Sequence, residues 1–101
     1  MKLFTSLLLG LSATVSAVDV QYYTGEGCGG DLVEERTLDC FSNRLPASPI
    51  IRGINLLYSN GITTEFYESN DCTGAAWFVD DGTGGCVTDS QAATNCINVI
   101  C

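Results

Sequence analysis

The chain has 101 residues, six cysteines, no histidine and a formal net charge of −8. This length allows one small domain, and the absence of histidine excludes histidine-dependent catalytic triads, histidine metal ligands and an imidazole switch near about pH 6.5. With four basic and twelve acidic residues, the chain lacks the excess of positive charge with which proteins bind nucleic acids, so we expect no nucleic-acid partner.

The first predicted element is a secretory signal peptide over residues 1–17. A positive start at Met1-Lys2 precedes an apolar run from Leu3 to Leu11, and the small residues Val15-Ser16-Ala17 form a typical cleavage site. The run is shorter than the roughly 20 apolar residues of a membrane-spanning helix, so we expect no stable membrane insertion. Cleavage after Ala17 leaves residues 18–101 with three arginines against twelve carboxylates, and therefore a net charge of −9.

The next segments are typical of strands separated by turns. Residues 18–24 are rich in β-forming residues, and their alternation places Val20 and Tyr22 on one face. Glycines crowd a turn at 25–30, and the LPASPI segment at 45–50 reads as an ordinary connection. Residues 54–58 alternate as a further strand.

Asn60-Gly61 then predicts a hairpin turn, because Asn-Gly between two apolar runs is a strong hairpin signal. It leads into a strand over 63–68, in which Thr64 and Phe66 share one face. Glycines mark a turn at 82–85, residues 89–95 are compatible with one short turn, and 97–100 form a last apolar strand. No helix is predicted.

The chain contains an internal duplication. Residues 20–30 (VQYYTGEGCGG) match residues 64–74 (TEFYESNDCTG) at a shift of 44 positions. The shift aligns two aromatic residues, a cysteine and a glycine: Tyr22 with Phe66, Tyr23 with Tyr67, Cys28 with Cys72 and Gly30 with Gly74. Two further anchors follow in the same order, Cys40 with Cys86 and residues 54–57 with 97–100.

All six cysteines lie after the signal peptide, and an even number in a short secreted chain predicts a disulfide framework. Cys96 and Cys101 would lie roughly 16 Å apart along a strand, too far for the roughly 4.4–6.8 Å of a disulfide. Excluding that pair leaves 12 of the 15 connectivities open. Paired cysteines are not catalytic thiolates, and these spacings resemble no zinc site.

Two aromatic residues, six further residues and a glycine occur twice, at Tyr22-Tyr23…Gly30 and Phe66-Tyr67…Gly74. This pattern resembles the Greek-key signature of the βγ-crystallin superfamily, in which the glycine permits a folded hairpin beneath the second aromatic residue. The resemblance implies an all-β fold in which two Greek-key motifs, about 18–58 and about 62–101, form one disulfide-linked crystallin-like β-sandwich over residues 18–101.

A narrower resemblance is to the cysteine-rich macadamia-type antimicrobial proteins and the crystallin-like microbial killer toxins. It rests on Tyr23–Cys28, on Tyr67–Gly74 and on the apolar ending Ile97–Cys101. One family cysteine, close after the position of Cys40, is missing here, and Cys96 is additional. The resemblance implies the pairs Cys28–Cys86 and Cys40–Cys101, which leaves Cys72 with Cys96.

Acidic residues offer candidate metal and catalytic sites, and we expect neither. Many microbial crystallin domains bind calcium through acidic and serine pairs, but this chain has Ser48-Pro49 and Gln91-Ala92 at the matching places. Asp80-Asp81 is interpreted as a charged turn. Neighbouring side chains in a strand point to opposite faces, so the two carboxylates of Glu34-Glu35, and those of Asp80-Asp81, would not converge as a glycosidase pair does. We therefore expect no enzyme activity, no cofactor and no metal.

Candidate surface contacts remain. Trp77 and Phe78 are adjacent, so if both lie in a strand one of them faces outward and could bind a carbohydrate or a protein, although packing at the core or its rim is the favoured interpretation. The three arginines, Arg36, Arg44 and Arg52, could form a small positive patch, with scattered solvation as the favoured alternative.

These features predict a small secreted, extracellular, monomeric and non-enzymatic defence or virulence protein, as an antimicrobial, toxin-like or effector protein of fungal origin. A charge of −9 argues against lysis of anionic membranes, so we expect recognition of a protein or glycan on a target cell. The alternatives are a secreted binding or inhibitor module for a hydrolase or a cell-wall glycan, and a structural surface protein of the producer.

Overall fold

A computed structural model describes residues 18–58 and 61–101, which form eight strands and one short 3-10 helix. The predicted signal peptide at 1–17, and residues 59–60 of the predicted hairpin turn, lie outside the described residues. The strands are β1 (Val18–Tyr23), β2 (Leu32–Leu38), β3 (Phe41–Arg44), β4 (Gly53–Tyr58), β5 (Thr64–Tyr67), β6 (Phe78–Asp80), β7 (Gly85–Thr88) and β8 (Cys96–Val99).

The four strands predicted from the sequence are confirmed to within one residue at each end, as β1, β4, β5 and β8. The described residues contain almost no helix, as expected; the one element that was not predicted is a 3-10 turn at Glu26–Cys28, which closes the glycine-rich turn. Gly27 takes a φ of 66° there, and the Gly29 N–H donates to the Glu26 carbonyl at 3.2 Å.

The strands form two antiparallel sheets of four, in the orders β2-β1-β4-β7 and β3-β8-β5-β6. The first half of the chain supplies three strands of the first sheet, while its remaining strand, β3, pairs with β8 in the second sheet. The second half repeats this arrangement, since β7 leaves its own sheet and pairs with β4. Because each half lends one strand to the other, neither sheet is complete without both halves.

The core lies between the two sheets and is built by alternation along the strands. Val20 and Tyr22 share the buried face of β1, and Thr64 and Phe66 share that of β5, as predicted, since all four side chains are fully buried. One hydrophobic cluster joins side chains of both sheets: Val18, Val20, Tyr22, Leu38, Ile51, Ile54, Leu56, Phe66, Val87, Ile97 and Val99.

Two oxygen atoms buried in the described part, Tyr22 Oη and Thr64 Oγ1, have no hydrogen-bond partner. Burial is the main cause that raises the pKa of Tyr22 to about 12, against an opposing effect of the Arg36 guanidinium. The corresponding residues of the other half are Phe66 and Val20, which carry no hydroxyl group. In the described residues, each half therefore contains one buried hydroxyl without a hydrogen-bond partner, at a position where the other half has no hydroxyl.

Three disulfides link the strands and hairpins. They join Cys28 to Cys86, Cys40 to Cys101 and Cys72 to Cys96, with Cα–Cα distances of 6.0, 5.7 and 5.2 Å. The first two are the pairs that the resemblance implies, and the third is the pair that they leave. The first two bonds connect the two halves of the chain, and the third lies within the second half.

A folded hairpin over residues 24–31 lies directly against the start of β4. The Thr24 and Asp31 backbones are hydrogen bonded at 3.0 Å, and Gly30 closes the hairpin with a φ of 74°. A Cβ atom on Gly30 would lie 2.5 Å from Thr24 Oγ1. Gly74, its counterpart in the second half, also has a positive φ, of 86°, but nothing lies within 4 Å of its Cβ position.

Gly53 is the point where β4 meets this hairpin. A Cβ atom there would lie 2.6 Å from the Gly25 carbonyl oxygen and 2.9 Å from the Cys28 Cα. The corresponding residue of the second half is Cys96, which is bonded to Cys72, the counterpart of Cys28. The two halves thus make the same hairpin contact differently, by close approach over a glycine in one and by a disulfide in the other.

Candidate functional site

Trp77 lies at the rim of the core, next to the first residue of β6. Its backbone N–H donates to the Phe66 carbonyl at 2.9 Å. Its ring meets the buried Phe66 ring edge-on, with centroids 6.2 Å apart, and lies 5.7 Å from the Phe78 ring. The side chain is still 37% exposed, so Trp77 combines the two expected roles, rim packing and an accessible aromatic surface.

A buried carboxylate organises the loop beside Trp77. Asp89, only 4% exposed, accepts the N–H groups of Ala93 at 3.0 Å and of Thr94 at 2.8 Å. The Thr94 hydroxyl in turn accepts the Trp77 indole N–H at 2.8 Å. The loop and the tryptophan ring are therefore held in one fixed arrangement.

Trp77 and this loop enclose an open cleft of about 240 Å³. Buried Asp89 and exposed Thr88 also line it, and the Thr88 hydroxyl accepts the Gly27 N–H at 3.0 Å. Three exposed polar residues complete the rim, and their side chains form no hydrogen bond or ion pair with any described residue: Glu68, Ser90 and Gln91. The cleft thus offers an aromatic surface beside unused donors and acceptors.

The structure brings two of the three candidate arginines together. Arg36 on β2 forms a 2.9 Å ion pair with Glu34 and donates to the Arg44 carbonyl at 3.3 Å. Arg52 lies apart from Arg36. Val20 of β1 is paired with Arg36 on one side and with Leu56 on the other. Arg52 is four residues before Leu56, which corresponds to roughly 13 Å along a strand.

Arg52 instead supports the loop of the cleft. Its Nε–H donates to the Ser90 carbonyl at 3.4 Å, and its own carbonyl accepts the Asp89 N–H at 2.9 Å. Sequence reasoning named Trp77 and Arg52 but missed Asp89, Thr94 and the polar rim. An aspartate before a short turn is a recognisable signal for such a side-chain-capped loop, although it does not reveal which side chain the loop will meet.

The acidic pairs are held by separate neighbours. Asp80 is buried and its carboxylate accepts the N–H groups of Gly82 and Gly84 at 3.0 and 3.3 Å, in the predicted charged turn. Glu34 pairs with Arg36, whereas Glu35 accepts the Gln21 amide at 2.6 Å. Within residues 18–58 and 61–101 no three acidic or cysteine residues are grouped so as to hold a metal ion.

The outer faces of the two sheets carry the same polar arrangement. On β1 the Tyr23 hydroxyl and the Asn55 amide both donate to the Gln21 side-chain oxygen, at 2.9 and 3.2 Å. On β5 the Tyr67 hydroxyl and the Asn98 amide donate to one Glu65 oxygen, at 2.8 and 3.0 Å. These triads occupy positions that the duplication aligns.

Hydrogen bonds within the second triad shift the pKa values of Glu65 and Tyr67. Hydrogen bonds from Asn98 and then Tyr67 stabilise the carboxylate and hold the pKa of Glu65 below its usual 4.5. The same Glu65 hydrogen bond raises the pKa of Tyr67.

None of the helices in the described residues is long and apolar enough to cross a membrane. Comparison of the chain with protein-family models, with curated proteins and with solved structures finds no match.

Proposed function

We propose that residues 18–101 form a crystallin-like domain of two Greek keys and act as a secreted, non-enzymatic defence or virulence protein. The domain would recognise a protein or glycan on another cell. In a Greek key the fourth strand returns to lie beside the first. The neighbouring positions of β4 and β1, and of β8 and β5, support this arrangement in both halves.

The repeated details support a duplicated origin for the two Greek keys. The polar triads on the two outer faces, the positive φ angles of Gly30 and Gly74, and the exchange of β3 and β7 all recur at aligned positions. The family resemblance rests on aromatic and glycine positions that occur in both halves, so each of these positions should have the same structural role in the two halves.

Secretion is supported by the three disulfides, since such bonds persist in oxidising compartments. The bonds hold loops to strands in a chain that is too short to build a large core, and this favours survival outside the cell. The net charge of −9 on residues 18–101 does not favour capture by anionic lipid or nucleic acid.

The observation that carries the proposal of recognition is the cleft at Trp77. A fixed, partly exposed tryptophan beside polar side chains that the protein leaves unused is typical of a binding surface. The same observation favours the second candidate function, a secreted binding module for a cell-wall glycan or a hydrolase, because both functions need only a surface that binds.

Growth inhibition tests the proposal. The protein, secreted from the full chain with its disulfides intact, is added to bacteria, yeasts and filamentous fungi, with reduced and alkylated protein as the control. We expect dose-dependent inhibition of at least one class and none by the control. Inactivity against every class, together with capture of one soluble host protein, would replace the defence function by the inhibitor module.

A further inference from the structure

We infer that the cleft at Trp77 binds one neutral pyranose ring of a glycan, with the sugar stacked on the exposed part of the indole. This inference rests on the proposed recognition function and names the ligand class of that site.

The tryptophan supplies a rigid platform. Its backbone N–H is bound to the Phe66 carbonyl, its indole N–H to the Thr94 hydroxyl at 2.8 Å, and its ring packs against Phe66 and Phe78. Because the ring is already immobilised, a ligand loses little additional side-chain freedom on binding. Because the indole N–H is occupied, the ring offers only its apolar surface, which suits the C–H face of a sugar ring.

The rim supplies hydrogen-bonding groups of both kinds. The Glu68 carboxylate accepts, while the Gln91 amide and the Ser90 hydroxyl both donate and accept. None of these side chains has a partner among the described residues, so each can serve a ligand without breaking a bond within the protein. Sugar hydroxyl groups likewise donate and accept, and those bound to Glu68 would make charge-assisted hydrogen bonds.

The charges and dimensions of the cleft narrow the ligand further. The carboxylates of Glu68 and Asp89 in the lining disfavour acidic sugars, phosphates and nucleic acids. A basic peptide is the competing ligand, because a cation can also stack on tryptophan. However, a cation only donates hydrogen bonds, so the donors of Ser90 and Gln91 would stay unpaired beside it. Arg52, which donates to the Ser90 carbonyl, is itself a cation next to this loop. The volume of about 240 Å³ suits a single ring.

Intrinsic fluorescence provides a direct test, since Trp77 is the only tryptophan of the chain. The secreted protein is titrated with the hexasaccharides of β-1,3-glucan, chitin and mannan, with oligogalacturonate as an acidic sugar and with decalysine as a basic peptide. We expect at least one neutral hexasaccharide to change the emission saturably, and neither charged probe to do so.

Two variants that each remove one exposed carboxylate locate the site. Glu68→Gln should weaken binding of the neutral sugar by about tenfold, as expected for the loss of a charge-assisted hydrogen bond. Asp39→Asn, at an exposed residue directly after the end of β2 that does not line the cleft, should bind as the unchanged protein does. Both residues are exposed, so neither change threatens folding.

The inference is overturned if no neutral hexasaccharide changes the emission up to millimolar concentration, if decalysine or oligogalacturonate binds instead, or if the two variants weaken binding equally. If Glu68→Gln inhibited growth as strongly as the unchanged protein, the inference would also be overturned, but the proposed defence function would stay in place. Loss of that function is recognised separately, by inactivity of the unchanged protein.

Discussion

Thr64 carries a buried hydroxyl without a hydrogen-bond partner, and Val20, a side chain of the same shape without that hydroxyl, occupies the corresponding position of the other half. A buried unsatisfied hydroxyl lowers stability by about 1–3 kcal/mol. Thr64→Val should therefore raise the free energy of unfolding by about 1 kcal/mol or more, measured by denaturant titration. The reverse change, Val20→Thr, should lower it, and a stabilised Val20→Thr variant would contradict this account of the core.

Gly53 is required because the hairpin backbone lies directly against it. Gly53→Ala would place a methyl group 2.6 Å from the Gly25 carbonyl oxygen, so one segment of backbone must move. We expect a loss of about 1–3 kcal/mol in the free energy of unfolding. Gly29→Ala is the control, since its Cβ would meet only the Glu26 carbonyl oxygen, at 3.3 Å. Equal stability of the two variants would show that the hairpin does not rest on β4 at Gly53.

Individual strands differ in how far their sequences define them. The strand β1 alternates between buried and partly exposed residues, so its face could be predicted. By contrast, β6 has three residues of which only Asp80 is buried, and β3 begins with Phe41, which is 63% exposed. Strands this short carry almost no periodicity, and their partners are set by contacts between distant segments. The exchange of β3 and β7 between the sheets was for this reason not predictable residue by residue.

The polar triad of the second sheet predicts a pH dependence. Glu65 has a pKa below 4.5 in the folded protein, so its hydrogen bonds stabilise the fold fully above about pH 4.5 and lose this effect as the pH falls through the lowered value. Glu65→Gln copies the first triad, in which Gln21 fills this position, and should remove that part of the acid destabilisation.

Chemical denaturation between pH 7 and pH 3 measures this effect. The difference in unfolding free energy between the unchanged protein and Glu65→Gln should shrink as the pH falls. Glu26→Gln, which changes an exposed carboxylate with no side-chain hydrogen bond to a described residue, should follow the unchanged protein in parallel. A difference that is constant across this pH range would contradict the assigned role of Glu65.

At the scale of the whole molecule, the Cys28–Cys86 and Cys40–Cys101 bonds hold the two halves together, whereas Cys72–Cys96 lies within the second half. The Cys28–Cys86 bond spans 58 positions and the Cys72–Cys96 bond spans 24. Loop-closure entropy predicts losses of about 4.2 and about 3.5 kcal/mol when each pair is replaced by alanine. Thermal and denaturant unfolding of the two double variants measures these losses. An unchanged stability without the Cys28–Cys86 bond would contradict the structural role of the link between the halves.

The recognition cleft also depends on the whole molecule, because its lining residues are distant from one another in the sequence. Trp77 was recognised as a candidate because adjacent aromatic residues cannot both be buried in one strand. Asp89 resembles any acidic surface residue until the loop folds around it, and Glu68 reaches the cleft only through the pairing of β5 with β8. Side chains that only tertiary contacts bring together leave no local pattern in the sequence.

Recognition of another cell is the central claim, and binding of the labelled, secreted protein to intact cells tests it most directly. Cells of bacteria, yeasts, filamentous fungi and plants are incubated with increasing protein, with and without an excess of unlabelled protein. The account predicts saturable binding to at least one class that the unlabelled protein displaces and that reduction of the disulfides abolishes. The absence of displaceable binding to every class would contradict it.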